Sequence, residues 1–220
     1  MLFWNFYALL YSGVQKLLPY QDLIAAIKRV VAQAEPSGPV LDAGCGNGIL
    51  SDVSAKYCGV DYSVSMLQVA KTKSEKAFFV RADLNAKLPF DDSSFSLCVC
   101  NNVLAYLKNP NLMLVEVFRV LKADGIFVLS TLRASFNPLH ILSEHISQSS
   151  IWDVVKNIHL VILLLLMNRR IVQKLQTGVY RGFEKDELID LARKTGFEIV
   201  SADHAYAKQN IMLVVRKPNC

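Results

Sequence analysis

The stretch Val40-Leu41-Asp42-Ala43-Gly44-Cys45-Gly46-Asn47-Gly48 decides the fold. A short apolar strand runs into a turn with a glycine at every second position. A strand feeding such a turn and then a helix brings bare backbone N–H groups toward a ligand, and the helix N-terminus favours negative charge. That chemistry suits a nucleotide phosphate or an amino-acid carboxylate. A dinucleotide fingerprint requires G-x-G-x-x-G. Counted from Gly44, its third glycine would fall at position 49, where this chain has Ile49. The turn is instead G-x-G-x-G, opened by Asp42. An acid there can accept a hydrogen bond from an ammonium group, directly or through water. N–H groups and a carboxylate together match an amino-acid zwitterion better than a pyrophosphate. A tight strand–helix turn holding no ligand is the plainer reading of the same residues.

Moving outward, residues 57–61 read as a second strand ending at Asp61. Ser63 is the expected N-cap of a helix carrying Met66, Leu67 and Ala70. Residues 77–83 read as a third strand. Residues 95–100, FSLCVC, are a fourth, a near-continuous apolar run of the parallel-sheet kind. A helix is expected over 111–122, with Leu114, Val117, Phe118 and Leu121 on one face and Asp124-Gly125 ending it. Strands follow at 126–131, near 197–203 and at 210–216. A helix over Phe183–Thr195, stopped by Gly196, precedes the last two. Upstream, residues 2–34 read as helical, with Leu23, Ile24, Ile27, Val30 and Val31 at spacings of three and four. Strands alternating with helices imply βαβ units. The expected fold is α/β: a Rossmann-like, seven-stranded, mostly parallel sheet with helices on both faces, plus a helical insertion. One domain over 1–220 is expected, with 1–34 as a helical cap and 133–180 as a lid.

Three acids then fall at three consecutive strand ends, in line with the glycine turn. Ligands of open α/β sheets bind outside the carboxyl ends of the strands. Asp61 lies 17 residues after Gly44, where a carboxylate can hydrogen-bond a ribose diol. Asp83 reads equally as a surface acid or as an acceptor for an adenine amino group, with Met66 and Leu84 supplying apolar faces for the base.

These stretches resemble the class I S-adenosylmethionine-dependent methyltransferases, of the type 11-like kind. VLDAGCGNG resembles their first motif, and GVDYS at 59–63 resembles the segment whose acid holds the ribose. RADLNAKLPFDDSSFSLCVCNNVLAYLKNP at 81–110, RVLKADGIFVLST at 119–131 and FEKDELIDLARKTGFEIV at 183–200 resemble their later segments. The resemblance implies S-adenosyl-L-methionine as cofactor. It implies that Gly44, Cys45, Gly46 and Gly48 form the turn around the methionine part, with Asp42 near its amino group. Asp61 would take the ribose hydroxyls, with Tyr62 and Met66 beside the adenine. Asp83 would bind the adenine amino group, with Leu84 alongside, and the Asn101 backbone would close over the methionyl group. The chain departs from the family at Ser96, where an acid is usual, and at Ala105 and Tyr106, where many relatives have Glu and His.

A sulfonium methyl group is already activated, so alignment and exclusion of water are the main requirements. A general base is needed only if the acceptor keeps its proton until transfer. Tyr106, Tyr11 and Tyr180, with His140 behind them, are the candidates near the reacting centre. Each also reads as a packing or surface residue. No His/Asp cluster suggests a metal.

The segment 133–180 is long for a connection. It contains IHLVILLLLM at 158–167, then Asn168-Arg169-Arg170. Ten helical residues span about 15 Å, half of a ~30 Å bilayer core, so this is not read as a transmembrane helix. It reads as a buried lid helix, as the wall of an apolar acceptor pocket, or as an element dipping into a membrane interface with Arg169, Arg170 and Lys174 on phosphates. The N-terminal aromatics Phe3, Trp4, Phe6, Tyr7 and Tyr11 would join such a surface or cap the cofactor. The expected acceptor is a small apolar or lipid-like molecule.

Composition narrows the alternatives. Lys and Arg number 24 against 19 Asp and Glu, a net +5 spread along the chain. No basic run with interleaved aromatics accompanies it, so a nucleic-acid partner is not expected. Five cysteines without framework spacing argue against a disulfide scaffold, and Cys98 and Cys100 share one strand face as core residues. The N-terminus lacks a basic region and a cleavage site, so it reads as part of the fold, with the cytoplasm, or its membrane periphery, as the default location. The rival readings are a catalytically inactive cofactor-binding protein, a nicotinamide oxidoreductase and a methyltransferase acting on a macromolecule. The complete acid set speaks against the first and Ile49 against the second.

Overall fold

The computed structural model describes residues 15–149 and 158–219. Seven strands form one sheet: β1 (Val40–Ala43), β2 (Tyr57–Asp61), β3 (Phe78–Arg81), β4 (Phe95–Asn101), β5 (Leu121–Leu132), β6 (Glu198–Ala205) and β7 (Asn210–Arg216). Their order is β3-β2-β1-β4-β5-β7-β6. The first five are parallel, and β7 runs antiparallel to both β5 and β6. The strand order reverses between β1 and β4. That opens a crevice at their carboxyl ends, where such sheets bind ligands.

Six α-helices are described: α1 (Leu18–Gln33), α2 (Val64–Lys73), α3 (Pro110–Val120), α4 (Pro138–Gln148), α5 (Ile158–Gln176) and α6 (Lys185–Thr195), with one 3-10 turn over Leu104–Tyr106. Their starts follow local chemistry. Ser63 Oγ accepts from Met66 N to cap α2. Asn109 and Asn137 cap α3 and α4, each followed by a proline in the first turn. Glu184 and Glu187 close a capping box on α6, and Gly196 ends it at φ +106°.

Strand alternation divides the core in two. Val40, Leu97, Val99 and Val128 face α1, α4 and α5, together with Leu23, Ile27, Ile141 and Ile171. Leu41, Cys98, Cys100 and Phe127 face α3 and α6, together with Leu114, Val117 and Leu188. Cys98 and Cys100 thus share a face as expected. Both are buried, free thiols, and desolvation pushes them well above the usual thiol range.

Three boundaries differ from the sequence reading. α1 begins at Leu18 after a turn at Gln15–Lys16, so the helix expected over 2–34 is interrupted there. Residues 1–14, with Tyr11 and the other N-terminal aromatics, lie outside the described residues. α3 stops at Val120 rather than running to Asp124-Gly125. The Ser93 and Ser94 amides donate to the Arg119 and Val120 carbonyls, and Leu121 already pairs with Phe95. Asp124, at φ +58°, is a bulge within β5. The apolar run at 158–167 is the first half of a longer helix. Ile171, Val172 and Leu175 keep its core-facing stripe going to Gln176. At 19 residues α5 is about 28 Å long. No helix among the described residues is long and apolar enough to cross a membrane.

The two stems of the insertion are joined at its base. Arg133 and Phe183 form a parallel bridge, with Phe183 N donating to Leu132 O and Ala134 N to Phe183 O, both at 3.0 Å. A Cβ on Gly182 would stand 2.5 Å from Ala134 Cα, so only glycine permits this approach.

Candidate active site

The glycine turn is held from both sides. The Gly44 and Cys45 amides donate to Val60 O, which ties the turn to β2. Asp61, at the end of β2, uses both carboxylate oxygens: Oδ2 accepts from Gly46 N at 2.9 Å and Oδ1 from Ser63 N at 2.8 Å. One side chain therefore closes the turn and starts α2. Gly44 lies at φ +86°, and a Cβ there would sit 2.3 Å from Val103 Cγ2. Gly46 lies at φ +52°, but a Cβ there meets nothing within 4 Å among the described residues. Its bare backbone faces open space.

That space is a cavity of about 480 Å³ at the reversal point. Gly44, Gly46 and Asn101, Asp61, and Asp83 with Asn85 all line it. Met66 and Leu84, both buried, supply apolar walls, while Tyr62 is partly exposed at the rim with Arg81 stacked 5.3 Å from its ring. A narrow pocket of about 30 Å³ adjoins the glycine end, sharing Gly44, Gly46 and Asn101 and reaching Asp42, Cys45 and Tyr20. Asn101 Oδ1 is buried here without a hydrogen-bond partner among the described residues.

Asp42 lies behind the turn, 2% exposed, and accepts from Tyr57 Oη at 2.6 Å. Burial pushes its carboxyl up to about 7, the tyrosine bond opposes this, and the neighbouring Asp61 adds to it. Burial also raises Asp61, against the pull of the Ser63, Gly46 and Tyr62 amides. In both cases burial favours the neutral acid, and a cation placed beside either group would favour the carboxylate instead.

Other candidates fall in different places. Asp83 is at the cavity edge, where its Oδ1 accepts from both Asn85 N and Nδ2. Gly48 is off the cavity wall, and a Cβ there would be 2.9 Å from Ala70 Cβ, so it allows α2 to pack. Tyr106 lines the cavity and meets Tyr180 edge to face at 4.7 Å, with Lys174 Nζ donating to Tyr180 Oη at 3.1 Å. His140 is exposed on α4 and is not on this wall. Ser96, the departure from the family's acid, accepts from Gly38 N and donates to Pro39 O, steadying the entry to β1. The sequence reading missed Asn85, Asn102, Val103 and Lys108, which also line the cavity. Val103 had one signal: a glycine turn with no room for a Cβ requires something bulky opposite it.

Gln15, just ahead of α1, is tied to the same turn. Gln15 and Asn47 exchange reciprocal amide hydrogen bonds at 3.0 and 2.9 Å, with Asn47 buried between Gly46 and Gly48.

Residues 41–129 match the family described as a methyltransferase domain. A malonyl-[acyl-carrier protein] O-methyltransferase of Hamiltonella defensa is 34% identical over 97 residues, covering 42% of this chain and 37% of that protein. An uncharacterized protein of Methanocaldococcus jannaschii is 31% identical over 169 residues, covering 73% of this chain and 62% of that protein. The chain spans about half the length of the curated relatives it matches. A solved S-adenosylmethionine-dependent methyltransferase of Thermotoga maritima has the same fold, with a TM-score of 0.67 at 18% identity over 98% of each chain. Residues 41–129, which hold the glycine turn, Asp61, Asp83 and β4, belong to that methyltransferase family, and the whole chain shares the fold of a solved S-adenosylmethionine-dependent methyltransferase. S-adenosylmethionine is the cofactor of that family.

Two outcomes are expected. Asp61→Ala weakens binding of S-adenosylhomocysteine by about 1–3 kcal/mol, the cost of a hydrogen bond left unmade at a buried site. Unchanged affinity by calorimetry in a folded variant rejects Asp61 as a ligand contact. The second concerns pH. The Asp42 carboxyl titrates higher in the folded chain than in the unfolded one, so its contribution is full below about pH 4 and falls as pH rises to about 7. Asp42→Asn should flatten this part of the stability–pH profile in denaturant titrations. An unaltered slope between pH 4 and 7 would rule out Asp42 as its source.

Proposed function

We propose that this chain transfers the methyl group of S-adenosylmethionine to a small apolar or lipid-like acceptor. The observation that carries the reading is the joining of an open glycine backbone at Gly46, the Asp61 carboxylate and the unpartnered Asn101 Oδ1 around one cavity. These groups fit the cofactor from one end to the other. Gly44 and Gly46 leave room for the methionine part, and Asp42 and Asn101 Oδ1 offer acceptors for its ammonium. Asp61 receives the ribose hydroxyls. Tyr62, Met66 and Leu84 hold the base, and Asp83 accepts from its amino group. When bound, S-adenosylmethionine supplies a methyl group on a positively charged sulfur, open to in-line displacement by a nucleophile.

The chain's own work is alignment and exclusion of water. Tyr106 forms the wall between the cavity and the insertion, buttressed by Tyr180 and Lys174. Its place makes it the residue that orients an acceptor. The insertion acts as a lid over that acceptor. A separate groove of about 480 Å³ between α4 and α5 is lined by Leu139, Leu165 and Val172 together with the polar Asn137, Arg169 and Gln173, and shares no residue with the cofactor cavity. The same helix favours contact with an anionic bilayer surface. Ile158, Ile162 and Leu166 are exposed at four-residue spacing, followed by the exposed Arg169 and Arg170.

Calorimetric titration with S-adenosylmethionine and S-adenosylhomocysteine, with NADH as control, tests the cofactor assignment. Micromolar binding of the adenosyl compounds alone is expected, and turnover is then sought with apolar phenols, quinones and lipids. Binding of NADH, or of nothing by folded protein, would overturn it. For the membrane contact, co-sedimentation with phosphatidylglycerol vesicles is expected, and Arg169→Glu/Arg170→Glu should abolish it. Equal sedimentation with neutral phosphatidylcholine vesicles would sink the anionic-surface reading.

A further inference from the structure

The loop that follows β4 forms one wall of the cavity. Asn102 there lies at φ +57°, in the left-handed region, which is uncommon outside glycine although asparagine enters it more readily than most side chains. This conformation turns the chain so that Asn102 lines the cavity and Val103 fills the space against Gly44. Hydrogen bonds from two other strands reach it there. The Asn102 amide donates to Ser130 O on β5 at 2.8 Å. The Asn102 side chain is held by a residue 108 positions away, with Asn210 Nδ2 donating to Asn102 Oδ1 at 2.6 Å. The same nitrogen donates to Ser130 Oγ at 2.8 Å. Asn210 and Ser130 are both fully buried. The two protons of one amide group therefore serve two acceptors, one on the loop and one on the neighbouring strand.

We propose that Asn210 is a positioning residue for the cofactor cavity, latching the loop after β4 in its left-handed form so that Asn102 and Val103 stay against the glycine turn. The proposal rests on the reading of this cavity as the S-adenosylmethionine site. Asn210 is the first residue of β7, the antiparallel strand inserted between β5 and β6. It lies outside every glycine-turn and acid motif of the first half of the chain. A purely structural Asn210 would set the stability of the sheet edge without affecting what the cavity binds. A latch links it to binding through Asn102.

A double-mutant cycle separates the two. S-adenosylhomocysteine is titrated calorimetrically into wild type, Asn210→Ala, Asn102→Gly and the double variant. Asn210→Ala should bind about tenfold more weakly, the scale of one lost hydrogen bond within a site. In the Asn102→Gly background, where the acceptor is gone and the left-handed turn costs nothing, Asn210→Ala should cause no further loss. An equal loss in both backgrounds, or unchanged affinity in folded Asn210→Ala, overturns the latch. If Asn210→Ala does not fold, Asn102→Asp, which keeps the acceptor oxygen, should retain affinity that Asn102→Ala loses. Equal affinities for that pair also overturn it. Amide exchange at Asn102 in the ligand-free protein is independent of the cofactor. It should quicken at least tenfold in Asn210→Ala relative to core amides of β4, and an unchanged ratio rejects the latch. Wild-type protein that binds no adenosyl compound would sink the cofactor reading alone, with exchange still deciding the latch.

Discussion

The carboxylate of Asp61 is the constraint on which the rest of the site depends. Its two oxygens hold two backbone amides that belong to different elements, Gly46 in the turn after β1 and Ser63 at the head of α2. A buried carboxylate without such donors would carry a large desolvation cost. With them, it fixes how β1, β2 and α2 meet. The N–H groups it uses are no longer free for an anion, so the turn does not act as a phosphate cradle. Among the described residues, the side-chain atom left unmet at this end of the crevice is an acceptor, Asn101 Oδ1.

A second set of contacts, all of long range, shapes the opposite wall. Val103 takes the place of the Cβ that Gly44 lacks, Asn102 turns left-handed, and β7 reaches back to both through Asn210. The Asp83 side of the cavity is tied in the same manner. Asn85, held by Asp83, accepts from the Lys108 amide and joins the loop after β3 to the loop after β4. Beneath it, Arg119 reaches the Leu88 and Phe90 carbonyls and pairs with Glu116 and Asp92, holding the segment between β3 and β4 onto α3. The cavity is walled by loops, and side-chain hydrogen bonds tie these to one another and, through buried Asn210, to β7.

What was legible in the sequence was local. The glycine turn, the Ser63 cap, the alternation of β4 and the acids at the strand ends all express spacing along the chain, and the structure places them accordingly. Contacts that depend on partners far away were not legible. No pattern in residues 210–216 says that β7 lies between β5 and β6, or that Asn210 meets Asn102. Asp124-Gly125 has the composition of a helix stop, yet Ser93 and Ser94 had already taken the last helical carbonyls of α3. The uniform apolarity of 158–167 hid its period, so the continuation of α5 through Ile171 and Leu175 emerged only from what those residues pack against. His140 was placed near the reaction by its position in the insertion, whereas α4 presents it to solvent.

The bridge between Arg133 and Phe183 has a consequence for how such a chain diversifies. Everything between the two stems leaves and re-enters the sheet at one fixed point, sealed by Gly182 against Ala134. The cost of closing a loop between fixed ends grows only with the logarithm of its length, about 0.6 kcal/mol per doubling. Segments of quite different length and composition are therefore interchangeable at this point with little effect on the seven strands or the glycine turn. The insertion behaves as a cassette, and the sheet with its glycine turn as the unchanging socket.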